Sequence, residues 1–282
     1  MPIRRPFMRT YGVLSKTNAR GSLFYGPPGT GKTHLAQAIA RECGAPMINV
    51  ASDKLSSKWV GESEKIIHAL FTLAEKLSPC IVFLDEADAL FGIRDSSDRG
   101  YERQFLNQFL REWGGMGATN RGPHIIASTN RPRDIDAAVL RRLPNKVHIG
   151  LPNAEEREDI FKIWLREEKV EGIILSDLAA TTEGFSGSDI KNLCEQAALA
   201  WERSDWSRED PEARRVLKHR HFTKAKRRVR PSVDPGTLRE IDECAMRWNP
   251  GTFRPVVSQV SQVLSRGVLR NVQGPDDVFG VD

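Results

Sequence analysis

The chain has 282 residues, enough for one large domain or two modest ones with a real core. Hydrophobic residues make up 39 % and charged residues 28 %, with both signs interspersed, which excludes wholesale disorder. The net charge is +5 at neutral pH, and no apolar run approaches the roughly 20 residues of a membrane helix. The four cysteines (Cys43, Cys80, Cys194, Cys244) have neither disulfide-scaffold nor zinc-ligand spacing, so a reducing intracellular compartment is expected.

Five short β-branched or apolar runs alternate with helical patterns, as in a parallel sheet with crossover helices. The strands fall at Ser22–Tyr25, Pro46–Ala51, Cys80–Asp85, His124–Ser128 and Lys146–Leu151. Lys32–Cys43 reads as a helix stopped by Gly44. In Glu62–Leu77 the residues Ile66, Leu70, Leu73 and Leu77 are expected to share the apolar face. From Leu151-Pro152-Asn153 onward only helical patterns follow: Ala154–Glu168, Ser176–Thr182, Ser188–Ser204 and a stretch near Thr223–Val229. A connector with Pro231 and Pro235 leads to a last helix, Thr237–Trp248. The expected division is a large α/β domain over 1–151, an all-helical domain over 152–232, and a C-terminal helix with an irregular tail over 233–282.

Gly26-Pro27-Pro28-Gly29-Thr30-Gly31-Lys32-Thr33 follows the first strand and opens the first helix. Its glycines let backbone N–H groups turn inward onto phosphate. Lys32 adds a point charge, Thr33 offers a hydroxyl to Mg²⁺, and the helix N-terminus favours an anion. A plain Gly/Pro turn explains the spacing less well, so these eight residues are expected to bind a nucleotide through its phosphates. Ile81-Val82-Phe83-Leu84-Asp85-Glu86 is an apolar strand ending in carboxylates. At the carboxyl edge of an open sheet Asp85 reaches the metal, and Glu86 is placed to activate the attacking water. Asn130, after the next strand, is expected to orient that water, although Asn130-Arg131-Pro132 also reads as a turn. Arg141-Arg142 suits either transferring-phosphate stabilisation or an ordinary charged helix end. Trp59 in Lys58-Trp59-Val60-Gly61 reads either as a staple on the next helix or as an exposed gripping aromatic. Nine Lys/Arg and no acid lie between Arg214 and Arg230, a run better read as a solvated helix face than as a polyanion site. The acid-free start resembles an organellar leader, yet Gly26 leaves little room for one, and an ordinary domain start or a fragment is expected.

The phrases GPPGTGKT, IVFLDEAD, STNRP, RRLP and GFSGSDI, in that order, resemble an AAA ATPase over about residues 10–250. SKWVGESEK (Ser57–Lys65) is similar to the first pore loop of the meiotic clade, which includes katanin, spastin and fidgetin. RRLPNKVHIGLP and GFSGSDIKNLCEQAA look most like the protein dislocase of the mitochondrial outer membrane and peroxisome. The resemblance implies a P-loop sheet domain with a helical lid, and a hexameric ring with ATP between protomers. It makes Arg141 and Arg142 arginine fingers for a neighbour's site and sets Gly187 and Ser188 against the adenine. It places Lys58, Trp59 and Val60 in the pore, with Arg94–Tyr101 as a second pore loop. It further implies ATP hydrolysis with Mg²⁺ as cofactor, protein substrates, and a cytosolic or cytosol-facing mitochondrial outer-membrane location; a nucleic-acid partner is not expected, because the sequence has no nucleic-acid module and no basic stripe interleaved with aromatics. Microtubule severing, complex disassembly and a non-hydrolysing scaffold are the competing readings. The family commonly carries Asp where Gly114 stands, and a longer lead-in than the 25 residues before Gly26.

Overall fold

A computed structural model describes residues 21–51, 62–92, 99–115, 122–205 and 215–249. Five parallel strands form one sheet: β1 (Gly21–Tyr25), β2 (Met47–Val50), β3 (Ile81–Leu84), β4 (His124–Thr129) and β5 (Asn145–His148), in the order β2-β3-β4-β1-β5. β1 and β3 are buried along their whole length, so they read as continuous apolar runs rather than alternating ones. β4 joins them in the middle of the sheet, with Ser22 beside Ile126 and Leu84 beside Ala127. That order places the carboxyl ends of β1, β3 and β4 side by side, which is where an open sheet binds ligands.

The crossover helices are α1 (Lys32–Cys43), α2 (Glu62–Lys76), α3 (Ala87–Phe91), α4 (Arg99–Gly115) and α5 (Ala137–Arg142). α1 ends as the sequence predicts, with Gly44 left-handed at φ 61° and its N–H on the carbonyls of Ala40 and Arg41. The facing of α2 differs from expectation. Ile67, Leu70, Phe71 and Ala74 are buried, whereas Ile66, Leu73 and Leu77 are 37 %, 46 % and 40 % exposed. The segment is apolar enough to offer two stripes, and the aromatic ring decides between them. Phe71 packs on Phe109 at 5.1 Å, within a ring cluster that includes Phe91, Phe105 and Trp113. α4, whose charged and aromatic residues hide its period, was not foreseen. It begins at Arg99, so Arg99 to Tyr101 of the expected second pore loop are helical, while residues 94–98 lie outside the described residues.

The second body contains α6 (Ala154–Trp164), α7 (Leu175–Ala180), α8 (Gly187–Ser204) and α9 (His219–Lys226) around Phe161, Leu193, Ala197, Trp201 and Phe222. It is a helical lid with one addition: β6 (Lys169–Glu171) and β7 (Val216–Lys218) pair in parallel. Three-residue strands carry too few alternations to be seen in the sequence. α9 starts four residues before the expected Thr223, its first turn held by the buried His221, whose Nδ1 accepts the Lys218 N–H at 3.0 Å. Both Nδ1 and Nε2 face hydrogen-bond partners. Nε2 lies 3.2 Å from Asp205 Oδ2 and 3.3 Å from Arg220 Nε.

The chain then returns to the sheet. α10 (Pro235–Trp248), capped by Asp234 on the Thr237 N–H, buries Ile241, Cys244 and Ala245 in the same core as β1 and β3. Trp248 meets the ring of Tyr25 edge-on at 5.0 Å, and Asn249 donates to the Lys146 carbonyl. Among the described residues no helix is long and apolar enough to cross a membrane.

Candidate nucleotide site

Tyr25 ends β1 inside the core, and the next residue turns the chain sharply. Gly26 has φ 156°, and a Cβ there would lie 1.9 Å from the Ile149 carbonyl oxygen, so only glycine fits. Gly29 and Gly31 follow at φ 74° and 87°, folding residues 26–33 into a loop over the head of α1. Gly31 offers no side-chain cap, and the first turn of α1 contains no acid. Its leading N–H groups are thus left for an external acceptor, at the positive end of a twelve-residue helix.

Lys32 is buried beneath this loop. Its Nζ donates to the carbonyls of Gly26 (3.0 Å) and Pro27 (2.6 Å), and Thr30 Oγ1 donates to the same Pro27 carbonyl at 2.9 Å. Burial lowers the Lys32 pKa to about 8, against the opposing pull of Asp85 and Asp88. Among the described residues the hydrogen bonds of this buried cation all go to carbonyls, a setting in which an anion would compensate its charge.

Asp85, just past β3, is oriented by three donors. Thr33 Oγ1 reaches its Oδ2 at 2.9 Å, while the Glu86 N–H at 3.0 Å and Ser128 Oγ share its Oδ1. Thr129 Oγ1 donates to Asp88 Oδ1 at 2.6 Å. These hydroxyls at the end of β4 were missed as site residues. Their signal is two small polar residues ending the apolar strand HIIAST, both nearly fully buried. Thr33 and Asp85 pair an alcohol oxygen with a carboxylate, the hard oxygen donors Mg²⁺ takes beside phosphate.

Glu86 is exposed, in the left-handed region at φ 51°, and it is the sole non-glycine residue with positive φ among the described residues. Such a conformation costs about 1–2 kcal/mol and is commonly retained at functional sites. Its carboxylate has no hydrogen-bond or ion-pair partner among the described residues. Asn130 follows β4 with its Oδ1 buried and without a partner, an acceptor suited to a water molecule.

The lid meets this loop directly. The Ser188 N–H donates to the Gly29 carbonyl at 3.2 Å, and a Cβ on Gly187 would lie 3.1 Å from that oxygen. Ser186 and Asp189 fix the head of α8 by reciprocal capping, and Asp189 also accepts the Ser232 N–H. Gly187 and Ser188 therefore stand against the phosphate loop itself. Arg141 and Arg142 do not join this cluster. Their guanidinium groups fold onto the carbonyls of Ala137 and Ala138 in their own helix, with Arg141 exposed. Lys58, Trp59 and Val60 lie outside the described residues.

A parallel sheet, a glycine loop over a buried lysine, paired acids after β3 and a helical lid on the loop together define an ATPase-type nucleotide site. The chain belongs to the AAA family: residues 22–151 match the ATPase family associated with various cellular activities, and residues 172–210 match the AAA+ lid domain. It is 45 % identical over 195 residues to the outer mitochondrial transmembrane helix translocase of Danio rerio, covering 68 % of this chain and 54 % of that protein. It is 42 % identical over 201 residues to the mitochondrial sorting homolog of Caenorhabditis elegans, covering 71 % and 58 %. Among solved structures, the AAA domain of FIGL-1 in complex with ADP superposes with a TM-score of 0.76 at 32 % identity, covering 88 % of this chain and 83 % of that one. The chain spans about half the length of the curated relatives it matches.

Proposed function

We propose that this chain is an ATP-hydrolysing motor that moves protein substrates through a ring pore, and that its task is to extract membrane proteins at the cytosolic face of the mitochondrial outer membrane. The observation that carries the nucleotide reading is Lys32, buried in the glycine loop beside the Thr33–Asp85 pair. The similarity to outer mitochondrial transmembrane helix translocases supports the substrate class and the location.

Residues Gly26 to Thr33 hold the phosphates, with Gly187 and Ser188 closing the cleft from the lid. Thr33 and Asp85 would hold Mg²⁺, which would supply charge neutralisation to the phosphate groups. The unpaired Glu86 carboxylate takes a proton from water as the water oxygen bonds to the γ-phosphorus and the bridging P–O bond to the β-phosphate breaks. Asn130, with its unpartnered Oδ1, orients that water. Arg141 and Arg142, whose guanidinium groups bond carbonyls of their own helix rather than the phosphate loop, serve a neighbouring protomer in a homo-oligomer, most simply a hexamer. The residues 152–232 act as the moving lid, and Lys58, Trp59 and Val60 grip the substrate chain. The apolar side chains of Ile66, Leu73 and Leu77, left exposed by the facing of α2, suit burial in such an assembly.

The deciding experiment is ATPase rate per mole of chain against protein concentration. A rate that climbs steeply supports sites completed between protomers. A flat, non-zero rate overturns the trans-arginine assignment, and no turnover at any concentration supports a nucleotide-binding scaffold instead.

A further inference from the structure

We propose that Arg157 is the positioning residue of the hinge between sheet and lid: its guanidinium locks the connector after β5 to the end of α7, and so sets where the head of α8 stands over the phosphate loop. The proposal takes the nucleotide site described above as its reference only where affinity is concerned.

Arg157 lies in the first turns of α6 and is 6 % exposed; no other arginine is buried among the described residues. Its charge meets no carboxylate among them. Nε and Nη2 both donate to the Ala179 carbonyl, at 3.0 and 2.8 Å, and Nη1 donates to the Pro152 carbonyl at 2.9 Å. Each acceptor sits on one of two routes between the bodies. Pro152 ends the connector from β5, whose Ile149 carbonyl presses on Gly26 and whose Ile149 N–H bonds the Tyr25 carbonyl. Ala179 is near the end of α7, and seven residues later the chain reaches Ser186 and then Ser188, which bonds Gly29. The planar fork thus ties the path that enters the phosphate loop from behind to the path that touches it from the lid. A buried guanidinium held only by backbone carbonyls specifies geometry more than it adds stability, because its desolvation offsets much of what the bonds return. Lysine, with a single ammonium head, cannot reproduce the fork on both carbonyls.

The test is pulsed electron-resonance distance measurement on the full chain carrying Arg203→Cys. One spin label goes on the exposed native Cys43 at the end of α1 and the other on the exposed lid position 203, the remaining cysteines being buried. Arg157→Lys and Arg157→Met are compared with the parent and with Asn153→Ala. The last weakens the same helix through its cap without touching either carbonyl bond. The expected result is a broadened or displaced distance distribution in both Arg157 variants and a parental one in Asn153→Ala. Binding of fluorescent ADP should weaken about tenfold or more in Arg157→Lys, the order expected when a remote change misplaces site groups. A parental distribution in Arg157→Lys overturns the proposal, whatever the melting temperature does, and this conservative variant decides the matter if Arg157→Met does not fold. If the parent fails to bind ADP, the nucleotide reading fails, while the distance comparison still decides the hinge.

Discussion

Lys32 and Glu86 show how the site is poised before any ligand arrives. Burial holds the Lys32 pKa near 8, below its usual 10.5. The charged form is disfavoured in the folded chain, so between about pH 8 and 10.5 the unfolded chain binds more protons and stability rises with pH. A bound phosphate favours the ammonium, so nucleotide binding takes up a proton near pH 8–9, and affinity falls as pH rises through about 8. Calorimetric titration of ADP across pH 7 to 9.5, in buffers of different ionisation enthalpy, checks both; flat affinity would mean that Lys32 does not meet the phosphates. Glu86→Gly removes the left-handed strain and should gain about 1 kcal/mol in chemical denaturation while turnover is lost. Glu86→Gln should retain nucleotide binding and lose most turnover, because ground-state contacts survive while the base is gone. Equal loss of binding in Glu86→Gln would show that the residue holds nucleotide rather than water.

Among the elements, α2 separates what a hydrophobic pattern shows from what packing decides. Leu70 belongs to both possible stripes, and the sequence offers no reason to prefer Ile67 and Phe71 over Ile66 and Leu73 until the aromatic residues of α4 are in place. Phe71→Ala should therefore cost about 3–5 kcal/mol, whereas Leu73→Ala should cost well under 1 kcal/mol in the isolated chain, as read by urea unfolding. Similar losses for both would mean that the helix is rotated from the position described. At α6 the Asn153–Glu156 capping box satisfies donors in the segment leaving the sheet. Asn153→Ala should cost about 1 kcal/mol, with no change in nucleotide affinity.

At the level of the molecule, the strands, the phosphate loop and the acids after β3 were legible because each rests on local chemistry: a short apolar run, glycines that permit positive φ, carboxylates at a strand end. Ser128, Thr129 and Arg157 were not, since their roles arise from partners 43, 41 and 22 residues away in the chain. α4 and the β6–β7 pair were missed for the complementary reason, one lacking a clean period and the other lacking length. Arg141 and Arg142 remain the assignment that a single chain leaves to a second protomer. Arg142→Ala should preserve ADP binding and thermal stability while reducing turnover, and mixing it with Lys32→Met chains should restore part of the activity if the sites are shared.

The path of α10 has a mechanical corollary. Because the chain leaves the sheet at Ile149–Pro152 and rejoins its core through Ile241, Cys244 and Ala245, the lid is pinned at both of its ends to the same body. A flap on one tether can swing and twist freely, but a door hung on two pins turns about the single line through them. In the proposed cycle the lid would turn along that one arc, and cutting the chain at the connector ahead of Asp234 would leave the door on the Ile149–Pro152 pin alone.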